Sequence, residues 1–569
     1  MALDTIPAEE RREVMEKTKL GTFGGILRKK SPEDLMKCGG NKLEKTLTGF
    51  DLIILGVGAI IGAGIFALSG TAAAGSAHHI GAGPALMVSL IIAGMACSFA
   101  ALCYAEFASI IPVAGSAFTY TYATLGEIAA WFIGWMLVLE YIIGNITVVS
   151  SWSGYLVNFL KGFEGVLPTF LTSPPVWLVN NYSTSVEKYK HIGVENFIVF
   201  LQDKFQALGL NPDSIKETFT VSNFDISAFN PAVFARMGFD AELLLNPASQ
   251  IPHLGPLPIA INIPAFLIMA FITTFLFIGI KESAKMTFAM VMVKIVVILL
   301  FVGVGLFYVT PENWVPFAPN GMKGIFVGAY LMFFAYIGFD AVSTAAEETK
   351  NPQKDMPVGI IGSLIICTLI YIVVIAVLTG MVPLSQIDTH APIAAAMTSV
   401  NQHWVAFIIS IGAIAGLTSV LLVLQLGGTR ILYAMSRDKF LPPIFSKIHP
   451  KYKTPYINTL IVGFAVAGLT TVLDLNAAAE LSNIGTLVAF MMVCAGVRIL
   501  RKTDPDRERP FRVPFVPVIP ILGILTCIAL IVLGLPTLKT LIIFGIWVIL
   551  GMIVYFSYGY KRIRASEEC

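Results

Sequence analysis

The chain has 569 residues, 56% of them hydrophobic and only 13% charged, with a formal net charge of +2. A soluble domain carries about 25% charged residues, so this composition leaves too little polar surface to cover a water-soluble globule, and its near-neutrality gives no sign of a nucleic-acid partner. The seven cysteines (Cys38, Cys97, Cys103, Cys367, Cys494, Cys527 and Cys569) all lie outside the one long polar insertion, so no disulfide framework is written there.

Residues 1–49 mix Lys, Arg, Glu and Asp and lack the apolar stretch of a cleavable signal peptide. They read as a cytoplasmic tail, followed by a retained membrane helix. Apolar blocks of the roughly 20 residues that cross ~30 Å of hydrocarbon predict spans at 51–74, 84–111, 127–160, 258–280, 286–309 and 322–346. Further spans follow at 357–382, 404–434, 456–474, 478–499, 516–535 and 538–559. Residues 50–160 thus hold segments 1–3 and residues 258–559 hold segments 4–12. Their even number returns the tail at 560–569 to the side of the N-terminus. One set of loops gathers Lys281, Lys285, Lys350, Lys354, the run from Arg437 to Lys453, then Arg498, Arg501, Arg507, Arg509, Lys561, Arg562 and Arg564. The loops near 75–83, 310–320 and 383–403 have almost none, which predicts a cell-membrane protein with both termini cytoplasmic. The lipid bilayer is its expected surrounding.

Residues 161–257 form a long polar connection on the opposite side. It reads either as a surface insertion without a role in the protein's chemistry or as a small external cap, with a helix-like stretch at Gly193–Leu210. Asn181-Tyr-Ser183 matches a glycosylation sequon, a short pattern of low specificity. His78 and His79 fall in an outer loop and are expected to be solvated.

Segment 1 reads Leu55-Gly-Val-Gly-Ala-Ile-Ile-Gly-Ala-Gly-Ile-Phe66. Each Gly costs a helix about 1 kcal/mol against Ala. Two readings stand: close helix packing of the small-xxx-small kind through Gly58 and Gly62, or a helix broken at mid-membrane whose freed N–H and C=O groups hold a ligand. Segment 6 favours the second. It is interrupted by Gly338 within Phe333-Phe-Ala-Tyr-Ile-Gly-Phe-Asp340, and two broken helices at corresponding positions of inverted repeats mark a central site. No repeat is detectable by residue identity.

The run Gly62-Ala-Gly-Ile-Phe66, Pro112-Val-Ala-Gly-Ser-Ala-Phe-Thr-Tyr120, the stretch Phe333–Pro352 and the stretch Gly427–Pro442 resemble the amino acid–polyamine–organocation superfamily, in particular bacterial members of its cationic amino acid transporter branch. The resemblance implies an all-α polytopic membrane protein of leucine-transporter-like fold, with 5+5 inverted repeats, 12 transmembrane helices, and helices 1 and 6 broken. It also implies an amino-acid substrate whose carboxylate is held by the amides of Gly62, Ala63 and Gly64. The ammonium would be held by the carbonyls of Ile60, Phe334, Ala335 and Ile337. Some relatives have Ser or Thr in place of Ala63, so a hydroxyl contact is missing here.

Ionisable residues inside membrane spans are costly and usually functional. Lys294 lies nine residues beyond Lys285 in segment 5, about 14 Å along a helix, too deep for easy snorkelling. A lysine held away from water can bind and shed a proton. In relatives resembling this chain the corresponding lysine takes the place of a sodium ion, which implies protons as coupling partners, with Thr418 and Ser419 as neighbouring hydroxyls. Glu140, mid-span in segment 3, either faces the substrate or Lys294, or hydrogen-bonds between helices. The resemblance places a second acid of some relatives at Met136, which weakens the case for a cationic substrate. Met136, Glu140, Phe334 and Phe339 are candidates to contact the substrate side chain. Asp340 reads as a gating or structural residue of segment 6. Glu106, Arg430 and Arg437 read as contacts at the cytoplasmic gate or loops.

These readings lead to proton-coupled import of an amino acid by alternating access. The alternatives are an exchanger of amino acids or polyamines, or a substrate-sensing receptor on the same fold; receptors of that kind usually carry long cytoplasmic tails. No HExxH, GxSxG or P-loop pattern and no Cys/His cluster with metal spacing is present, so no enzyme, cofactor or metal is expected.

Overall fold

The computed structural model describes residues 47–76, 79–111, 116–208, 234, 237, 239–278, 284–340, 342–343, 349–389 and 391–565. The first helix, α1 (Gly49–Ile60), opens with a capping box. The Thr48 hydroxyl accepts from the Asp51 amide, and the Asp51 carboxylate accepts from the Thr48 amide at 2.8 Å. The helix stops at Ile60 and resumes as α2 (Gly64–Ala74), bent by 41° from α1. Then come α3 (Leu86–Ile110), α4 (Ser116–Thr124) and α5 (Glu127–Lys161).

The insertion carries α6 (Tyr182–Ala207), which begins well before the predicted Gly193. Its apolar face forms a separate small core in which Val194, Phe197 and Ile198 meet Phe234, Ala241 and Leu244. Asn181 of the sequon is buried, and its side chain caps α6 by accepting from the Thr184 amide at 2.8 Å. That makes it a structural cap rather than an exposed glycan acceptor.

After a two-residue hairpin, His253–Leu254 against Leu257–Pro258, the chain continues through α7 (Ile263–Ile278), α8 (Ala284–Gly305), α9 (Gly321–Phe333) and α10 (Pro352–Met381). The last elements are α11 (Pro392–Ser399), α12 (His403–Arg437), α13 (Tyr456–Leu469), α14 (Leu475–Thr503), α15 (Val518–Leu533) and α16 (Leu538–Val554). Helical turns run on from α16 through Ala565, beyond the predicted end of segment 12. The predicted end of segment 6 lies mostly outside the described residues.

Among the described residues, seven helices are long and apolar enough to cross a membrane, and the bent pair α1–α2 passes the same criterion jointly. Four shorter apolar helices (α7, α9 with its terminal turn, α13 and α15) accompany them. The chain is a multi-pass membrane protein. Its surface agrees: Leu541, Ile542, Ile546, Ile549, Leu550 and Ile553 of α16 are exposed, an apolar belt for which hydrocarbon is the matching solvent. The interior holds the opposite, with Glu106, Glu140, Lys294, Asp340 and Glu480 all buried.

Apolar contact alone gives little drive for helices to associate in lipid, so hydrogen bonds and close packing hold them together. The long helices α5 and α12 lie side by side, and Trp152 of α5 donates to Thr418 of α12 at 3.0 Å. Helix α16 is fastened to α5 by stacking of Trp135 on Trp547, centroids 4.4 Å apart, and by the Trp131 N–H to the Gly551 carbonyl. Helix α10 packs along both α1 and α3, which places it beside the break in the first span.

Candidate functional site

A helix end leaves its last carbonyls without intrahelical donors, and a buried carbonyl must find one elsewhere. At the end of α1, Val57 accepts from the Ile61 amide. The next carbonyls take side-chain donors from other helices. Lys294 of α8, fully buried, donates from Nζ to the Gly58 carbonyl at 2.7 Å and to the Ile61 carbonyl at 3.1 Å. The Tyr371 hydroxyl of α10 stands 2.9 Å from the Ile60 carbonyl and 3.0 Å from the Ala335 carbonyl. With one proton to give, it donates to one of them at a time.

The second interruption lies against the first. Helix α9 passes through a tight turn at Phe334–Tyr336, where the Ile337 amide donates to the Phe334 carbonyl at 3.2 Å. At Gly338 φ is +120°, a conformation that favours glycine. A Cβ there would come within 2.8 Å of the Ala59 carbonyl oxygen, and a Cβ on Gly64 within 2.3 Å of Ala335 Cα. The two breaks therefore touch backbone to backbone.

A cavity lies at this crossing. It is lined by Ala59, Ile60, Gly62, Ala63 and Gly64 from the first break and by Phe334 and Ile337 from the second. The remaining wall is Glu140, Gly144 and Val148 of α5 with Val420 and Leu424 of α12. Its accessible volume is about 20 Å³, room for little more than a water molecule. The amides of residues 62–64 sit at the start of α2, where a helix dipole suits an anionic group. The Glu140 carboxylate enters the wall with Oε1 lacking a hydrogen-bond partner.

Of the residues anticipated around a ligand, Ile60, Gly62, Ala63, Gly64, Glu140, Phe334 and Ile337 line this one cavity. Ala335 backs it and is engaged by Tyr371. Lys294 lies beside the break rather than in the cavity wall. Of the hydroxyls expected beside Lys294, Thr418 donates to the Ile414 carbonyl and accepts from Trp152, and Ser419 donates to the carbonyl of Gly416, a glycine that packs against the Lys294 stem. Phe339 packs on Tyr104 and Phe490, and the Met136 backbone faces Gly485 of α14; neither lines the cavity. Asp340 is buried just past the break, and its carbonyl accepts from the Ser343 hydroxyl at 2.5 Å.

Glu106 is bonded to the end of α14 and to the segment that follows it. Its carboxylate takes a two-pronged bond from Arg501 (3.0 and 2.6 Å) and the Val513 amide at 2.7 Å. Arg430 and Arg437 are exposed. The expectation for His79 fails: it is 7% exposed, and its Nε2 is 2.6 Å from Glu480 Oε1. The loop doubles back at the Gly75–Ile80 bridge and carries the ring inward. His78 lies outside the described residues. The sequence reading missed Tyr371 and the lining residues Gly144, Val148, Val420 and Leu424; a polar residue within the apolar run of segment 7 was the available signal for the first.

A multi-pass helical protein with a buried cavity built from two crossed helix interruptions has the organisation of a membrane permease. The chain belongs to the amino acid permease family, which it matches over residues 47–556. It is 42% identical over 548 residues to the branched-chain amino acid permease BcaP of Bacillus subtilis (strain 168), covering 96% of this chain and 100% of that protein. It is 41% identical over 541 residues to the methylthioribose transporter of the same organism, covering 95% and 99%. It is also 36% identical over 471 residues to the chloroplastic cationic amino acid transporter 9 of Arabidopsis thaliana, covering 82% and 69%. These relatives are transporters, not enzymes.

Proposed function

We propose that this chain is a secondary active transporter that imports an amino acid by alternating access, coupled to proton entry, in the cell membrane with both termini cytoplasmic. The observation that carries the coupling is the Lys294 ammonium bonded to the Gly58 and Ile61 carbonyls, at the same break whose other side lines the cavity. The seven long helices, the bent pair and the four shorter apolar helices together support twelve spans, with α1–α2 and α9 as the broken helices of two inverted repeats. The amides of Gly62, Ala63 and Gly64 receive the substrate carboxylate. The carbonyls of Ile60, Phe334, Ala335 and Ile337 receive its ammonium, displacing or sharing the Tyr371 hydroxyl. The narrow cavity corresponds to an occluded arrangement that widens when the substrate is present.

The rest of the wall is apolar, from Val148, Val420, Leu424 and Ile337, with Glu140 its one carboxylate. This favours a neutral branched side chain, in line with what the name of one relative says of that protein. Another relative of nearly equal identity is named for methylthioribose, which lacks both the carboxylate and the ammonium. The deciding experiment is uptake in proteoliposomes of L-leucine, L-lysine and methylthioribose, each with and without an imposed pH step. Concentrative uptake of L-leucine only with the acidic exterior supports the proposal. Uptake that needs an internal amino acid and ignores the pH step means an exchanger, and preference for methylthioribose overturns the substrate assignment.

A further inference from the structure

The pair formed by His79 and Glu480 stands apart from the cavity and has no part in the function proposed above. Glu480, near the start of α14, is fully buried. Its Oε1 faces His79 Nε2 at 2.6 Å, and His79 Nδ1 lies 3.3 Å from the Ser76 hydroxyl. Its Oε2 accepts from the hydroxyls of Thr537 and Thr540, at 2.9 and 2.6 Å, where α16 begins. The Glu480 carbonyl accepts from the Tyr330 hydroxyl of α9 at 2.8 Å, and Asn483 of α14 donates to the Tyr330 carbonyl at 2.6 Å. One carboxylate thus ties the α2–α3 loop to α14 and α16, and its backbone ties in α9. Both α2 and α9 contribute to the crossing of the breaks. Facing the pair are the phenol of Tyr330 from α9 and the two threonines from α16; Lys539, between those threonines, is exposed.

Imidazole, as a group, changes charge within the pH range of a cell's surroundings. When His79 is protonated, its contact with the carboxylate joins two opposite charges in a dry setting; when it is neutral, the carboxylate still accepts an N–H but the ion-pair attraction is lost. The Thr537 and Thr540 hydroxyls hold the carboxylate on α16 in either state, so the variable joint is the one to the α2–α3 loop. We infer that His79 and Glu480 form a second proton-binding site, separate from Lys294, which latches the far end of α2 to α14 and α16 when protonated and slackens when the proton leaves. Alkaline conditions on that side then favour opening of the cavity toward it.

The latch is independent of which substrate is carried. It rests on the proposed orientation only for the side from which its protons arrive. The test uses the full chain in proteoliposomes with Cys38 and Cys569 replaced by Ser; Cys97, Cys103, Cys367, Cys494 and Cys527 are buried. A membrane-impermeant thiol reagent is added outside to Val148→Cys, in the cavity wall, and to Val166→Cys, an 80% exposed reference that corrects for the chemistry of the thiol itself. The ratio of the two rates should rise about fivefold between roughly pH 5.5 and pH 8. In His79→Gln, which keeps a donor but does not titrate, and in Glu480→Gln, the ratio should be flat. A flat ratio in the parent protein overturns the inference, as does unchanged pH dependence in His79→Gln or, should that variant not fold, in Glu480→Gln. Reaction of Val148→Cys only with reagent trapped inside would instead refute the orientation.

Discussion

Replacing Lys294 by Met separates what the lysine does for the fold from what it does for transport. Met retains most of the stem and removes the ammonium. Each bond from a charged donor contributes about 1.5–3 kcal/mol, and each buried carbonyl left without its donor costs about 1–3 kcal/mol. Lys294 serves two carbonyls, Gly58 and Ile61, at 2.7 and 3.1 Å. Against this loss stands the ammonium itself, whose removal from water costs several kcal/mol and which Met does not incur. The two largely offset, so the variant should fold with a melting temperature shifted by only a few degrees. A net change of about 1.4 kcal/mol at the break alters substrate binding about tenfold. Coupling is different in kind, because the ammonium that binds the Gly58 and Ile61 carbonyls is gone. In proteoliposomes, Lys294→Met should exchange L-leucine in counterflow, within about tenfold of the parent rate, yet accumulate none above equilibrium when a pH step is imposed. If it accumulates L-leucine as the parent does, Lys294 is a structural donor and proton coupling resides elsewhere.

Three other perturbations probe the same framework. Gly416→Ala places a Cβ about 2.9 Å from Lys294 Cγ and 3.2 Å from Cε; it should displace the stem and lower pH-driven accumulation of L-leucine about tenfold while counterflow persists. Tyr371→Phe removes the one hydroxyl shared by the Ile60 and Ala335 carbonyls, leaving a buried acceptor unsatisfied at a cost of about 1–3 kcal/mol. It should lower the melting temperature and shift the Kd for L-leucine in equilibrium binding. Glu106→Gln weakens the contact with Arg501, whose side chain is 26% exposed. That makes the loss about 2 kcal/mol, below the ~3–5 of a fully buried pair, and thermal melting should fall while the L-leucine Kd stays unchanged.

The spans were legible because the bilayer forces length and apolarity on them together, as at α5 and α12. The breaks were legible for a related reason: glycine runs inside an apolar block have few uses. What the sequence could not show was which groups answer the freed carbonyls. Tyr371 lies more than three hundred residues from Ile60, and a tyrosine in an apolar run carries no mark of the backbone it will meet. Thr418 and Ser419 illustrate the converse. A hydroxyl in a membrane helix can always bond to the turn before it, and both do so, at Ile414 and Gly416. His79 departs from the exposure its loop position implies because the bridge between Gly75 and Ile80 turns the loop back into the protein.

The break in the first span has two unlike ends, and the proposed mechanism follows from that asymmetry. Its carbonyl end, Gly58 to Ile61, is occupied by Lys294 and Tyr371; its amide end, Gly62 to Gly64, opens on the cavity. Only a few residues separate the two, so the ammonium cannot give up its proton and release Gly58 and Ile61 without changing how the amides are presented. Proton and substrate would then act on one short backbone segment rather than through a chain of side chains. Linkage requires the effect to be reciprocal: if protonation of Lys294 strengthens binding of the carboxylate by a given factor, bound carboxylate must raise the proton affinity of Lys294 by the same factor. Coupling free energies of this kind are typically about 1–3 kcal/mol, comparable to the one or two charge-assisted bonds at stake here. Equilibrium binding of L-leucine at two pH values, paired with proton uptake on binding, must therefore give one coupling factor from both directions. Two different factors would mean that the proton and the substrate do not meet at this break.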